Sequence, residues 1–160
     1  MRLSDCPEVD AEIYIAAPPE KVWGLVTDLP RMGEWSPECA RCEWAGEAVG
    51  PAVGARFRGH NKRGVMRWSN TPTVTAADPG REFAFSRTAP GGGEVVWRYQ
   101  MTPSNGGTTL TESYEVVRPA NQVMSLMTRV MLPGDRGKQL NEDMQVTLRC
   151  IKGAAEGAVG

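Results

Sequence analysis

Residues 135–155 read DRGKQLNEDMQVTLRCIKGAA, and this stretch decides the fold. Apolar positions fall at Leu140, Met144, Thr147/Leu148, Ile151 and Ala154/Ala155, in steps of three and four that trace one face of an α-helix. Lys138, Gln139, Glu142, Asp143, Arg149 and Lys152 make up the other face. Pro133 and Gly134 interrupt whatever precedes, and Asp135 can cap the new N-terminus. Gly153 and Gly157 loosen the far end. Most of the chain upstream reads as strands and turns. A single amphipathic helix after such a run must lay its stripe on the sheet, and the sheet must curve to receive it. The expected architecture is α+β, with a cavity between sheet and helix.

Working back to the beginning, Val9, Ala11, Ile13 and Ile15 alternate with Asp10, Glu12 and Tyr14, the pattern of a half-buried first strand. Pro18-Pro19-Glu20 opens a helix whose apolar face is Val22, Leu25, Val26 and Leu29. Pro30 ends it, and Arg31–Trp35 reads as one more turn. These two short helices can plug the open end of a curled sheet. Six further strands are expected, at 41–48, 55–62, 66–76, 81–87, 95–101 and 108–117, making an antiparallel sheet of seven. Pro72 implies a bulge or an edge within the fourth. Asp78-Pro79-Gly80 and Asn105-Gly106-Gly107 mark turns. The glycines of Ala89–Gly93 lack the spacing and following helix of a phosphate cradle. Between Pro119 and Leu132, Val123, Met124, Leu126, Met127, Val130 and Met131 form a segment apolar on nearly every side, read as a short helix leading into the long one.

With 160 residues, one domain spanning 1–160, with a core over about 8–155, is expected. Such a chain buries roughly 70% of its unfolded surface. Eighteen Lys and Arg against nineteen Asp and Glu leave a net charge of −1, which gives no reason to expect nucleic acid as a partner. Met1–Pro7 lacks the apolar run of a secretory signal, and no segment approaches a membrane span, so a cytoplasmic location is expected. Cys39 and Cys42 form a lone C-x-x-C that leads into a strand rather than a helix, and with Cys6 and Cys150 they read as ordinary reduced thiols. No metal site and no cofactor are called for: His60 is the only histidine, and a structural zinc would need four ligands. No G-x-S-x-G elbow accompanies His60, which argues against a hydrolase.

Several of these residues also carry a family resemblance. The opening Ile13-x-Ile15-Ala16-Ala17-Pro18-Pro19-Glu20-x-Val22-Trp23-x-x-Val26-Thr27-Asp28-Leu29, followed by Trp35-Ser36-Pro37, resembles the polyketide cyclase/dehydrase-like branch of the START-like (SRPBCC) superfamily. Val53-Gly54, Trp97-x-Tyr99, Gly107-Thr108-x-Leu110-Thr111-Glu112 and Met144-x-x-Thr147-Leu148-x-x-Ile151-Lys152 extend the match over about residues 8–155. The resemblance implies the helix-grip fold, with seven antiparallel strands around the C-terminal helix. It also implies a deep apolar pocket for lipids, hormones, quinones or polyketides. It supplies no universal catalytic set to carry over.

By strand parity the inward set is Phe57, Met66, Trp68, Phe83, Phe85, Trp97, Tyr99, Leu110, Glu112 and Tyr114, faced by Met144 and Leu148 from the helix. That much indole and methionine suits an adaptable pocket better than a filled core. Glu112 shares its parity with apolar neighbours, and a buried carboxylate is costly unless paired or protonated. It therefore either anchors a ligand or acts as an acid/base, with Tyr99 or Tyr114, or it pairs with an arginine or is turned out by a bulge. Asn70 has the same ambiguity. His60 differs in parity from Phe57 and should face solvent. Arg56, Arg58, Lys62, Arg63 and Arg67 form a basic cluster that reads as a solvated face. Met124, Met127 and Met131 are the expected ligand contacts of a movable lid or, equally, part of a fixed core helix. Three functions stay open: a non-enzymatic binder of a small hydrophobic molecule, a polyketide-type cyclase or dehydratase working with Glu112, Tyr99 or Asn70, and an interaction protein of the ribosome-associated or toxin-like type. A homodimer is compatible with each.

Overall fold

The computed structural model describes residues 8–88, 91–131 and 134–157. Met1–Pro7 with Cys6, Ala89 and Pro90, Leu132 and Pro133, and residues 158–160 lie outside the described residues. Strand β1 (Glu8–Ile15) leads into helix α1 (Pro19–Val26), a 3-10 turn (Leu29–Arg31) and the single turn α2 (Met32–Trp35). Strands β2 (Cys39–Trp44), β3 (Phe57–Arg63), β4 (Met66–Asn70), β5 (Thr73–Asp78), β6 (Glu82–Thr88), β7 (Glu94–Ser104) and β8 (Gly107–Arg118) follow. The chain ends in α3 (Gln122–Met131) and the long α4 (Arg136–Gly157).

The architecture is α+β, with antiparallel strands gripping a long C-terminal helix. The strand count differs from the sequence expectation: eight strands form two sheets, ordered β1-β8-β7-β6-β5 and β2-β3-β4. The cause is Pro72. Having no N–H, it cannot continue a ladder, so the run expected over 66–76 divides into β4 and β5, one in each sheet. The sheets stay joined at this point. The Phe57 amide donates to Pro72 O at 3.2 Å, Val74 to Ala55 O at 2.8 Å and Gly54 to Val74 O at 2.9 Å.

Local chemistry sets the remaining boundaries. Pro19 occupies the first turn of α1, where its missing N–H costs nothing. Asn105 and Gly106 both adopt positive φ, 46° and 79°, the requirement of the tight turn closing the β7–β8 hairpin. Asp135 Oδ1 accepts the Lys138 amide at 3.1 Å and caps α4. Gly153 does not stop α4, which continues to Gly157.

Helix α4 buries Leu140, Met144, Thr147, Leu148, Ile151 and Ala155. The core divides along its length. Around α1, a closed cluster packs Ile15, Val22, Val26, Leu29, Phe83, Leu110, Leu148 and Ile151, with the Trp23 ring edge-on to Phe83 at 6.1 Å. Toward the other end, Val9, Val95, Tyr114, Leu140 and Met144 form a smaller cluster. Among the described residues no helix is long and apolar enough to cross a membrane.

Candidate functional site

A cavity of about 1070 Å³ lies between the two sheets, α2, α3 and the N-terminal half of α4. Its size is just above the usual range for small-molecule sites, roughly 300–1,000 Å³. The β-strand walls are Phe57, Met66, Trp68, Phe85, Trp97, Tyr99, Glu112 and Tyr114, all on the inward parity. Met144 closes it from α4, and Met124 and Met131 border it from α3. The Phe57 and Phe85 rings meet edge to face at 4.9 Å, as do Trp97 and Tyr114. Asn70 lines the cavity too. Gly59 stands beside it without a side chain, and a Cβ there would meet Asn70 Oδ1 at 3.1 Å.

Phe83 and Leu148 are elsewhere. Both sit in the closed core, 0% and 1% exposed, because α1 plugs that end of the grip. Parity assigns a face but not a position along it, so Phe83 and Phe85 point the same way yet only Phe85 reaches the cavity. Met127 lies on the outer side of α3, 47% exposed, and does not reach the cavity wall. A ten-residue helix docked by one edge cannot turn all its methionines inward.

Among the described residues, Glu112 is the one buried acidic side chain on the sheets' inner face, 3% exposed. It is directly across the β7–β8 ladder from Tyr99, whose hydroxyl donates to Glu112 Oε1 at 3.0 Å. Its other oxygen, Oε2, is buried with no partner among the described residues. Neither an arginine nor a bulge accounts for it. Burial pushes the Glu112 carboxyl up to about 8; the Tyr99 hydrogen bond works against this, and the negative charge of Asp143 adds to it. Burial and the same carboxyl raise Tyr99 well above the ordinary phenol range. Near neutral pH, Glu112 is therefore a neutral acid with a donor to offer.

An ion-pair network on the cavity wall was not anticipated from the sequence. Arg136 Nη1 and Nη2 donate to Glu38 Oε2 and Oε1 at 2.9 and 2.6 Å. Arg63 Nε donates to Glu38 Oε2 at 3.1 Å, and its Nη2 reaches Asp143. Two cations and two anions thus tie β3 and the residue before β2 to the first turns of α4. Burial pulls Glu38 upward, but the two guanidiniums outweigh it and hold the carboxyl below its ordinary range. Asp143 is shifted the other way, raised mainly by burial against the pull of Arg63. The placement of Asp143 on the outer face of α4 is thus corrected. It lies three residues from Leu140 and four from Thr147, on the edge of the buried stripe. Arg63 likewise leaves the solvated cluster, since it shares parity with Phe57, Gly59 and Asn61. That spacing was the available signal for both residues. Arg56, Arg58, Lys62 and Arg67 do face outward and are exposed. His60 is on the outer face, with Nε2 3.1 Å from Glu43 Oε1.

Residues 7–142 match the family model described as polyketide cyclase / dehydrase and lipid transport. The chain belongs to this family. Solved structures share its fold. The ZhuI aromatase/cyclase from Streptomyces sp. R1128 is 20% identical, with a TM-score of 0.74 over 96% of this chain and 95% of that one. The di-domain ARO/CYC StfQ of the steffimycin biosynthetic pathway is 12% identical at a TM-score of 0.73, over 94% of this chain and 51% of that one. Ara h 8.0201 is 14% identical at 0.68, over 94% and 97%. At these identities the likeness is one of fold alone. No curated protein matches the sequence. Within the polyketide cyclase / dehydrase and lipid transport family, the polar equipment of this member's cavity is Glu112, Tyr99, Asn70 and the Glu38–Arg136 network.

Proposed function

We propose that the protein binds a small, largely apolar molecule of the lipid, polyketide or quinone kind in this cavity, with Glu112 as its polar anchor. One observation carries the reading: Glu112 Oε2 is buried at the cavity wall and unpartnered, while Oε1 is already taken by Tyr99. A buried polar atom without a partner costs about 1–3 kcal/mol, and a ligand carbonyl placed against the protonated oxygen would recover it. The aromatic and methionine walls supply area without directional demands, and the single donor sets orientation. Native mass spectrometry of freshly purified protein, with extraction of any bound molecule, tests the reading directly. A flat or chain-like apolar species bearing a carbonyl or hydroxyl supports it. Protein that is empty as purified, and that neither brightens an environment-sensitive dye nor yields it to fatty acids or flat polycyclics, overturns it.

A second reading is a cyclase or dehydratase working in the same cavity. The raised pKa of Glu112 favours it, because a carboxyl that titrates near 8 is matched to proton transfer close to neutral pH. Here Glu112 would give a proton to a carbonyl or hydroxyl oxygen and take one back, with Tyr99 steadying the carboxylate formed. Turnover of an aromatic polyketide surrogate that is lost in Glu112→Gln, with binding retained, separates this reading from the first.

A further inference from the structure

In a regular strand, residues 39 and 42 would point to opposite faces, because side chains alternate. In β2 they do not. The pairing with β3 jumps from Cys39↔Asn61 to Arg41↔His60, which leaves Ala40 as an extra residue. Such a bulge re-aims the side chains beside it. Cys39 and Cys42 consequently share the cavity-facing side, and their Sγ atoms lie 3.0 Å apart. Cys42 is 6% exposed and packs beside Gly59, where a Cβ would come to 3.8 Å from its sulfur. Cys39 is half-buried and reachable through the cavity. A disulfide bond measures about 2.05 Å, so closure requires the sulfurs to approach by roughly one further ångström.

We propose that Cys39 and Cys42 form a two-electron dithiol/disulfide site in the cavity wall, exchanging with small disulfides of the glutathione class. The Cys39 thiolate attacks one sulfur of oxidised glutathione. That disulfide breaks, and the first glutathione leaves as a thiolate that takes up a proton. Cys42 gives up its proton and attacks Cys39 Sγ, which expels the second glutathione. Both cysteines are oxidised, one glutathione disulfide is reduced to two thiols, and the two cysteine hydrogens end on them. The order of attack follows from the pair's asymmetry. The Cys42 hydrogen bond lowers the Cys39 thiol against burial, the Arg41 amide adds to the lowering, and the charge of Glu38 opposes it. Cys42 is raised by that same bond, by burial and by Glu43. Once Cys39 is a mixed disulfide, the bond that restrains Cys42 is gone. The Tyr99 phenol lines the same cavity as the pair, and the Glu38 carboxylate is ion-paired with Arg136 and Arg63. None of this depends on which molecule the cavity holds.

The test uses the Cys6→Ser/Cys150→Ser protein, equilibrated in defined mixtures of reduced and oxidised glutathione, quenched with N-ethylmaleimide and weighed intact. The two remaining thiols should disappear together, giving a product two hydrogen masses lighter that carries neither glutathione nor maleimide. Adding Cys42→Ser should trap a stable glutathione adduct on Cys39. Adding Cys39→Ser instead should slow adduct formation by roughly tenfold or more, since a buried, protonated thiol attacks poorly. Peptide mapping of the unmodified chain after the same quench reads the Cys39–Cys42 bond without any substitution. Thiols that stay fully alkylatable in oxidised glutathione alone, or a pair that halts at the mixed disulfide, overturn the proposal.

Discussion

Tyr99 and Glu112 are direct partners in the β7–β8 ladder, and the phenol hydroxyl closes the pair with a 3.0 Å hydrogen bond to Oε1. The pairing register alone brings them together, since thirteen residues separate them in the chain. Glu112 holds its proton in the folded state up to about pH 8 but would release it near 4.5 when unfolded. The folded protein therefore binds the extra proton across this window, and stability falls as pH rises through it. The loss is about 1.4 kcal/mol per pH unit while the difference persists. Urea midpoints of the wild type should decline from pH 5 to 8, and Glu112→Gln should flatten that decline. Parallel profiles would place the titration elsewhere.

Tyr99→Phe removes the donor to Oε1 and leaves both carboxyl oxygens of Glu112 without a partner among the described residues. The hydrogen bond lowers Glu112 against the upward push of burial, so its loss should move the titration of Glu112 to higher pH. The stability cost should be ~1–3 kcal/mol at pH 7. Carboxyl-selective NMR of labelled glutamate reads the shift, and a midpoint moving down contradicts the assignment.

Two aromatic truncations should differ in cost. Phe83 is 0% exposed in the closed cluster under α1, so Phe83→Ala should destabilise by ~3–5 kcal/mol. Trp97 is only half-buried and borders empty volume, so Trp97→Ala should fall below that range while changing dye affinity. Equal urea midpoints for the two variants would mean that the Trp97 side of the interior is as tightly packed as the Phe83 side.

Arg136→Met cuts the fork onto Glu38 but leaves Arg63 in place. A loss of ~1–3 kcal/mol is expected. Glu38 is held below its ordinary range, so its contribution is present above that range and disappears as pH falls through the lowered value. The gap between wild type and variant should thus narrow on the acid side. A gap that widens there would assign the network's effect to Asp143 instead.

Helix α3 buries none of its residues, and Val123, Leu126, Val130 and Met131 are 68%, 59%, 74% and 46% exposed. Its attachment is at the N-terminal end. There the Asn121 amide donates to Gly91 O at 3.0 Å, and Asn121 Oδ1 accepts the Met124 amide at 2.9 Å. Gly91, at φ +86°, leaves no room for a side chain, since a Cβ would sit 2.5 Å from Met124 Cγ. Amides of Leu126–Met131 should exchange faster than those of Met144–Ile151 and slow when an apolar ligand is added. Equal, ligand-independent protection of the two helices would make α3 a fixed wall rather than a gate.

Periodicity along the chain was enough to settle the α+β architecture, the closing helix α4, the two short helices after β1, and the inward direction of Phe57, Trp97, Tyr99 and Glu112. These follow from side-chain alternation and helical spacing, which are local properties of the backbone. Four features were decided only by tertiary structure. Pro72 signalled a break, but only the pairing shows that β4 and β5 fall in different sheets. The boundary between filled core and cavity depends on how far α1 reaches, and no strand pattern encodes that distance. The bulge at Ala40 turns a C-x-x-C on a strand into a facing pair, and the Glu38–Arg63–Arg136–Asp143 network joins residues nearly a hundred positions apart. Each arises where separate elements meet, and the geometry of that meeting is set by the packing of the whole domain.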